Sequence, residues 1–337
     1  CTAKAAGVRS DDRALADAIT AADDHDEAHE WCEALRDAGS SVVILGDAAM
    51  QHPQASWLRA LSRGIAQATG SAYNELPSGA NAIGLARVGA QSAGGAKAIL
   101  EQPPKAFITW QTGSQDTFAP AAYDHAREAA GFYVYAGGYA CEGVRRTADA
   151  ILPLGLPPEI DGTYVNVDGF LQSIGAGAAL PGDSRPGWKV LRALGAALGI
   201  DGFDFVDLET VHGHIRGQLE QPAPAAVGGL GERARPADGK LVRLATVGIY
   251  RTDAVVRRAT ALQKHPLNRA PALRICADDA RRLGLLDGVK ADVDGVQLPV
   301  VVDASVPRGC AWVEAGHAAT ATLPPYGAAL TIKAVTA

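Results

Sequence analysis

Between residues 29 and 155 helical and strand-like stretches alternate, and that alternation limits the possible folds more than any other feature. "HEWCEALRDAGS" places Trp31 and Leu35 at helical spacing and ends at Gly39, a residue type suited to a helix C-cap. "SVVILG" follows as a buried strand, then "PQASWLRALSRGIAQATG" as an amphipathic helix opening with Pro53 and closing at Gly70. A Gly-rich loop, "LPSGANAIGLARVGAQSAGG", leads to a strand in "KAFITWQTG", a helix in "AAYDHAREAAG" and strands in "FYVYAGG" and "DAILPLG", the last stopped by Pro153. Such alternation predicts a parallel sheet covered by helices, a doubly wound, Rossmann-like α/β domain over residues 1–217.

Two further elements complete that half. "DGTYVNVDGFLQ", residues 161–172, sets two Asp-Gly turn pairs around an alternating run and predicts a hairpin. "SRPGWKVLRALGAALG" predicts a helix whose apolar face carries Trp188, Leu191, Leu194 and Leu198.

The texture then changes. Residues 218–239 are rich in Pro, Ala and Gly, a composition that buries too little apolar surface to order itself, and a linker is expected there. Beyond it, residues 240–337 offer short strands with turn signals and few helices. "KLVRLATVGIY" reads as a strand, "TDAVVRRATALQ" as a short helix capped by Thr252 or Asp253, and "ADDARRLG" as a helix ending at Gly284. "VKADVDGVQLPVVVD" reads as a hairpin turning at Asp294-Gly295, with further strands in "GCAWVEAG" and "AALTIKAV". A small β-barrel is the expected outcome.

Composition excludes several functions. The chain is 47% hydrophobic and 20% charged, which suits a large core, and no apolar run reaches the length of a membrane span. A net charge of −6 argues against a nucleic-acid partner, which needs a clustered basic surface. Cys1, Cys32, Cys141, Cys276 and Cys310 are widely scattered, so neither zinc nor iron–sulfur ligation is expected of them, and reduced thiols are. The polar start at Cys1 reads as that of a fragment lacking an upstream part.

Candidate chemistry is sparse. "HDEAH", residues 25–29, sets two imidazoles one helical turn apart, but Asp26 stands where a zincin helix carries its Glu, and a solvated helix face is expected. "HGH", residues 212–214, has no nearby carboxylate or Cys to complete a metal shell. "GAGAALPG", residues 175–182, lacks the spacing of a phosphate cradle and reads as a surface loop. Asp149, at the start of the last strand, could contact a ligand or satisfy backbone N–H groups of a turn. Cys141 precedes Arg145 and Arg146, which would lower a thiol pKa if close, yet no base is evident.

Three segments, in one order, resemble a known family. "RTADAILPLGLPPEIDGTYVNVDGFLQ" resembles the strand, loop and hairpin signature of the molybdopterin oxidoreductase superfamily. "LRICADDARRLGLLDGVKADVDG" with "LPVVVDASVPRGCAWVEAG" resembles its C-terminal dinucleotide-binding barrel. "RPGWKVLRALGAALGIDGFDF" and "VGIYRTDAVVRRATALQ" are similar to the version in the large iron–sulfur subunit family of bacterial NADH-quinone oxidoreductase, respiratory complex I. "LPSGANAIG" is similar to that family's corresponding loop.

The resemblance implies a double-psi-like barrel and a scaffold role in the peripheral arm, among other complex I subunits. It implies a location in the cytoplasm, against the cytoplasmic face of a bacterial inner membrane, without direct membrane insertion. No catalytic residue, metal ligand or cofactor is expected within this chain; the 2Fe-2S and 4Fe-4S clusters belong to the family's N-terminal region. Asn81, Asp149 and Asn166 are candidates for a vestigial pterin groove. Where active relatives carry Arg in the hairpin this chain has Phe170, and where they carry Glu it has Asp168, which leaves an anionic pterin pyrophosphate without a cationic donor there. The alternative implied is the C-terminal half of an active molybdopterin-dependent oxidoreductase such as a formate dehydrogenase.

Overall fold

The computed structural model describes residues 1–90, 95–116, 120–221, 229–231 and 239–335. The chain forms two compact units, one comprising residues 1–86, 165–170 and the described part of 223–235, the other most of the remainder. Most of the linker expected over residues 218–239 lies outside the described residues.

The first unit carries helices α1 (Thr2–Ala5), α2 (Arg13–Thr20), α3 (Asp26–Asp37), α4 (Asp47–Met50), α5 (Ala55–Thr69) and α6 (Ala82–Arg87). Strands β1 (Val42–Leu45) and β2 (Ala72–Glu75) pair in parallel, Val42 opposite Ala72. Its core gathers Ala3, Leu15, Ile19 and Trp57. α5 ends as its sequence predicts, with Gly70 in the left-handed region at φ 74°, which a residue with a Cβ adopts only under strain. The expected helix forms but turns its tryptophan outward, and one expectation, the buried strand, fails. α3 buries Ala28 and Cys32 while Trp31 is 58% exposed, because helical spacing alone does not say which face meets a neighbour. β1 is no buried strand, since Val42 and Ile44 alternate outward.

The second unit holds two sheets and most of a hairpin whose residues 165–170 belong to the first unit. Strands β3 (Ala106–Trp110), β4 (Phe132–Gly137) and β5 (Ala150–Pro153) pair in parallel in the order β3-β4-β5. Phe107, Tyr133 and Tyr135 pack beneath α7 (Gly95–Glu101), α8 (Pro120–Ala129) and α9 (Glu142–Thr147) through Leu100, Ala126 and Val144. Among the described residues this sheet shows no reversal of strand order, so the doubly wound detail is absent from it. β6 (Gly162–Val165) and β7 (Leu171–Ile174) form the expected hairpin, with Gly169 at φ 84° in its turn.

α10 (Gly187–Ala197) and α11 (Leu208–Leu219) follow. α10 departs from its predicted packing: Leu191 and Leu198 are exposed, and the buried position is Gly195, where a Cβ would lie 2.1 Å from the Phe203 ring.

The remaining strands are β8 (Leu241–Leu244), β9 (Leu273–Ile275), β10 (Lys290–Val293), β11 (Val296–Val302), β12 (Cys310–Trp312), β13 (Ala329–Leu330) and β14 (Ile332–Ala334). They pair in the order β13-β8-β12-β9-β11-β10-β14. The two edge strands are consecutive in the chain and separated only by Thr331, so the sheet curls back until its edges nearly meet, as the barrel reading expects. The hairpin turns at Asp294 (φ 46°) and Gly295 (φ 86°), the two positive angles that an Asp-Gly pair favours. Leu241, Leu273, Ile275, Val293, Leu298, Val300, Val313 and Leu330 fill the interior. Each such side chain contributes about 1.5–3 kcal/mol by leaving water.

Arg243 lies among them, 2% exposed, donating among the described residues to backbone carbonyls: Pro324 at 2.6 Å, with Val313, Glu314 and Leu323 at 3.3–3.5 Å. Burial lowers its pKa to about 10, and the carbonyls take the place of the solvent it has lost.

"TDAVVRRATALQ" is not one helix. It forms a helical turn at Val256–Arg258 and a separate α12 (Thr260–Gln263), broken by Ala259 in an extended conformation (ψ 98°). α13 (Ala277–Leu283) closes at Gly284 in the left-handed region, as predicted. Among the described residues no helix is long and apolar enough to cross a membrane.

The end of β2 carries a charge cluster whose titration is testable. Glu75 accepts from Arg59 and Arg63, both at 2.9 Å, and from the Tyr73 hydroxyl at 2.7 Å. Burial pushes the Glu75 carboxyl up, but the hydrogen bonds from Tyr73 and Arg59 and the two arginine charges outweigh it and leave it below the ordinary glutamate value of 4.5. Burial, with Glu75 beside it, pushes Tyr73 up to about 12. A carboxyl whose folded pKa is lowered contributes stability that is complete above its unfolded pKa and is lost as pH falls through the folded one. Glu75→Gln should therefore reduce stability at neutral pH and flatten the loss that the native chain shows below pH 4.5, as read by urea unfolding across that range.

Candidate functional site

In parallel sheets ligands bind outside the C-terminal ends of the strands. In the second unit a cavity of about 450 Å³ lies there, within the range of small-molecule sites. It is lined by Trp110 at the end of β3 and Gln111 after it, by Leu154, Leu156 and Ile160 after β5, and by Asp253, Val255 and Val256.

Gln111 organises this end of the sheet. Its backbone N–H donates to the Ala136 carbonyl of β4 at 2.7 Å. Its side-chain amide accepts from the Gly138 N–H and donates to the Gly155 carbonyl, both at 2.9 Å. One residue thus links the ends of all three strands. It does so at φ 56°, a conformation costing a non-glycine residue about 1–2 kcal/mol, which the surrounding bonds must offset. The approach is tight: a Cβ at Gly155 would fall 2.4 Å from Leu180 and 2.6 Å from Ile160. Leu156 N–H is held by Glu159 at 2.8 Å, and Gly155 N–H by the Arg185 carbonyl at 2.9 Å.

The opposite wall comes from the run "YRTDAVVRRATALQ". Asp253 accepts from the N–H groups of Val255 and Val256 at 2.8 and 2.9 Å, as a capping Asp should, although the turn it caps is short. Arg257 donates to the Arg251 carbonyl at 2.9 Å and forms an ion pair with Asp116 beyond β3. Arg251 donates to the Gly316 carbonyl of the barrel segment at 2.7 Å and to Gln263 at 3.1 Å. The run is therefore fastened both to the parallel sheet's loops and to the barrel, and it presents Asp253–Val256 to the cavity.

None of Asn81, Asp149 and Asn166 lines this cavity. Asn81 and Asn166 belong to the first unit, where Asn81 Oδ1 accepts from Val165 N–H at 2.9 Å. Asn166 Oδ1 accepts from Asp168 and Phe170 N–H at 3.1 and 2.9 Å, shaping the hairpin turn. Phe170 itself is 66% exposed. Asp149 precedes β5, at the end of the sheet away from Gln111, and accepts from Tyr133 N–H at 2.7 Å.

The other sequence candidates disperse as well. His29 bonds Asp24 at 2.7 Å on an exposed surface, and His212 bonds Thr163 at 2.7 Å. Cys141 flanks α9, where Arg145 donates to Ala140 O and Arg146 lies 3.9 Å from Glu128. Among the described residues no three His, Cys, Asp or Glu side chains converge as a metal site would require.

The cavity's chemistry is apolar. Among the described residues its lining holds no Lys, Arg or His, the Gln111 amide bonds to the sheet through both its oxygen and its nitrogen, and the Asp253 carboxylate bonds to its own turn. Such a lining does not fit an anionic pterin pyrophosphate, which needs cationic or unengaged N–H donors. Sequence reading missed Gln111, because "WQTG" after a strand carries no signature; only its left-handed backbone marks it.

Residues 18–197 match the molybdopterin oxidoreductase family, just over half of the chain. The chain belongs to that family. Within it, the chain is similar to the NADH-ubiquinone oxidoreductase 78 kDa subunit, mitochondrial, of Neurospora crassa, with 36% identity over 128 residues, 38% of this chain and 16% of that protein. It is also similar to the NADH-ubiquinone oxidoreductase 75 kDa subunit of Reclinomonas americana, with 26% identity over 178 residues, 50% of this chain and 25% of that one. The matched part is thus a quarter or less of those relatives' length. The resemblance to the large subunit of NADH-quinone oxidoreductase drawn from the sequence is borne out by these two relatives. The structure of acetylene hydratase from Pelobacter acetylenicus aligns with a TM-score of 0.44 and 12% identity over 67% of this chain and 39% of that one, a likeness too distant to carry an argument.

Replacing Gln111 by Leu keeps the side chain's bulk and removes both of its bonds. The Gln111→Leu chain should lose about 2 kcal/mol or more, from two part-buried hydrogen bonds and a left-handed residue left unsupported. Urea unfolding measures the loss, and hydrogen exchange should show the Gly138 amide deprotected while the barrel amides stay slow.

Proposed function

We propose that this chain is a scaffold region of the large peripheral-arm subunit of an NADH-quinone oxidoreductase, and that it carries no redox centre of its own. In this reading electrons pass from NADH to quinone through iron–sulfur clusters held elsewhere in the subunit and its partners. The chain's work is to keep its own shape while packing among other peripheral-arm subunits, on the cytoplasmic side of a bacterial membrane.

The observation that carries this reading is the internal closure of the cavity. At the strand ends, where a catalytic relative would receive its cofactor, Gln111 spends its amide on neighbouring strands and Asp253–Val256 forms an apolar wall. A site kept for an anionic cofactor would hold polar donors in reserve, since an unpaired buried donor is tolerated only where a ligand will meet it. The residues forming that wall also belong to the run that most resembles the complex I subunit. Exposed Leu191, Leu198, Ile200 and Val206 supply apolar surface of the kind a multisubunit assembly covers.

The test is to purify the assembly through a tag on this chain's full-length protein. The expected result is co-purification with NADH-oxidising, quinone-reducing activity and molybdenum well below one atom per chain. Molybdenum or tungsten near one atom per chain, with oxidation of a small substrate such as formate, would instead establish the molybdoenzyme reading.

A further inference from the structure

The barrel contains a pair of thiols that the scaffold reading leaves unused. β9 and β12 run antiparallel with Trp312 opposite Arg274, and the Arg274 guanidinium lies 5.3 Å from the centre of the Trp312 ring, so both side chains share a face. Along an antiparallel pair the partners step in opposite directions, and every second residue returns to the same face. Continued two steps past that pair, the register leads to Cys276 on one chain segment and Cys310 on the other. The backbone of Cys276 is still extended there (φ −70°, ψ 161°), immediately before α13 begins.

Asp279 places the two independently. Its Oδ2 accepts from Cys276 Sγ at 3.3 Å and from the N–H of Gly309, the residue before Cys310, at 2.7 Å. Both cysteines are half-buried and unbridged. One carboxylate oxygen thus meets the first cysteine's sulfur and the backbone immediately before the second, which brings both thiols to one place; disulfides need Cα separations of about 4.4–6.8 Å.

We propose that Cys276 and Cys310 form a reversible redox pair, closing to a disulfide that ties the start of α13 to β12. The oxidant is a low-molecular-weight disulfide such as oxidised glutathione. The Cys276 thiolate attacks one sulfur of the oxidant, forming a mixed disulfide and releasing one glutathione thiolate, which takes up a proton. The Cys310 thiolate then attacks the Cys276 sulfur, forming the intrachain bond and releasing the second glutathione. Two protein thiols give up two electrons and two protons, and the oxidant receives them as two thiols. Burial pushes the Cys310 thiol up, with Asp279 and Cys276 acting in the same direction, which suits it to the second, resolving step. The proposal stands apart from the scaffold reading, since either can fail without the other.

The test treats the folded chain with oxidised glutathione, blocks remaining thiols and digests with trypsin. The expected product is a disulfide joining peptide 275–281 to peptide 309–333, formed at least about tenfold faster than in urea because folding holds the thiols together. In Cys310→Ser, the 275–281 peptide should instead accumulate as its glutathione adduct. The proposal is overturned if both peptides of the native chain carry glutathione without joining, if the link forms no faster than in urea, or if Cys276 of Cys310→Ser stays unmodified.

Discussion

The side-chain amide of Gln111 fixes the geometry on which the second unit's cavity depends. Parallel strands present unpaired backbone groups where they end, and in a catalytic α/β protein those groups, with the loops that follow, face a ligand. Here one glutamine meets Gly138 N–H and Gly155 C=O while its own N–H reaches Ala136, so the three strand ends satisfy one another. The bonds are short enough to hold a residue in the left-handed region that its side chain disfavours. Strain of that kind is retained where the surroundings over-determine it, and two neighbouring strand ends and a tight Gly155 turn do so.

From that tie the remaining architecture follows in two steps. With the strand ends closed, the loop after β3 can carry Asp116, whose ion pair with Arg257 fastens the run from Tyr250 to Gln263 over the cavity. That run in turn reaches the barrel through Arg251 and Gly316. That ion pair and the Arg251–Gly316 bond together join sheet to barrel within the unit. The barrel answers its own burial problem similarly, surrounding Arg243 with carbonyls instead of a carboxylate. In both places a polar side chain is engaged by the protein's own backbone.

Much of the fold was legible because it rests on local chemistry. Gly70 and Gly284 ended helices, Asp294-Gly295 turned a hairpin, Pro153 stopped a strand, and the alternating runs became parallel strands. What failed was long-range. Trp31 and the leucines of α10 have helical spacing but face outward, since spacing marks a stripe without naming its partner. At the break after Arg258 the two short turns are tied by long-range bonds, Arg257 to Asp116 and the Arg251 carbonyl, Gln263 to the Tyr250 and Val256 carbonyls, which local propensity does not encode. For the site, the sequence flagged Asn81, Asp149 and Asn166, polar residues near turns, and each serves backbone N–H groups. Gln111 was invisible, because nothing in "WQTG" announces a left-handed glutamine.

At these strand ends the Gln111 amide is already engaged by Gly138 and Gly155. The most direct test is an experimental density map of the intact assembly that contains this chain, at a resolution that shows side-chain amides. The expected map has Gln111 bridging Gly138 and Gly155, with Val255 and Val256 over an apolar cavity that contains no pterin density. A pterin in that cavity, with the Gln111 amide turned from the strands toward it, would contradict the closure of the strand ends and the scaffold role built on it.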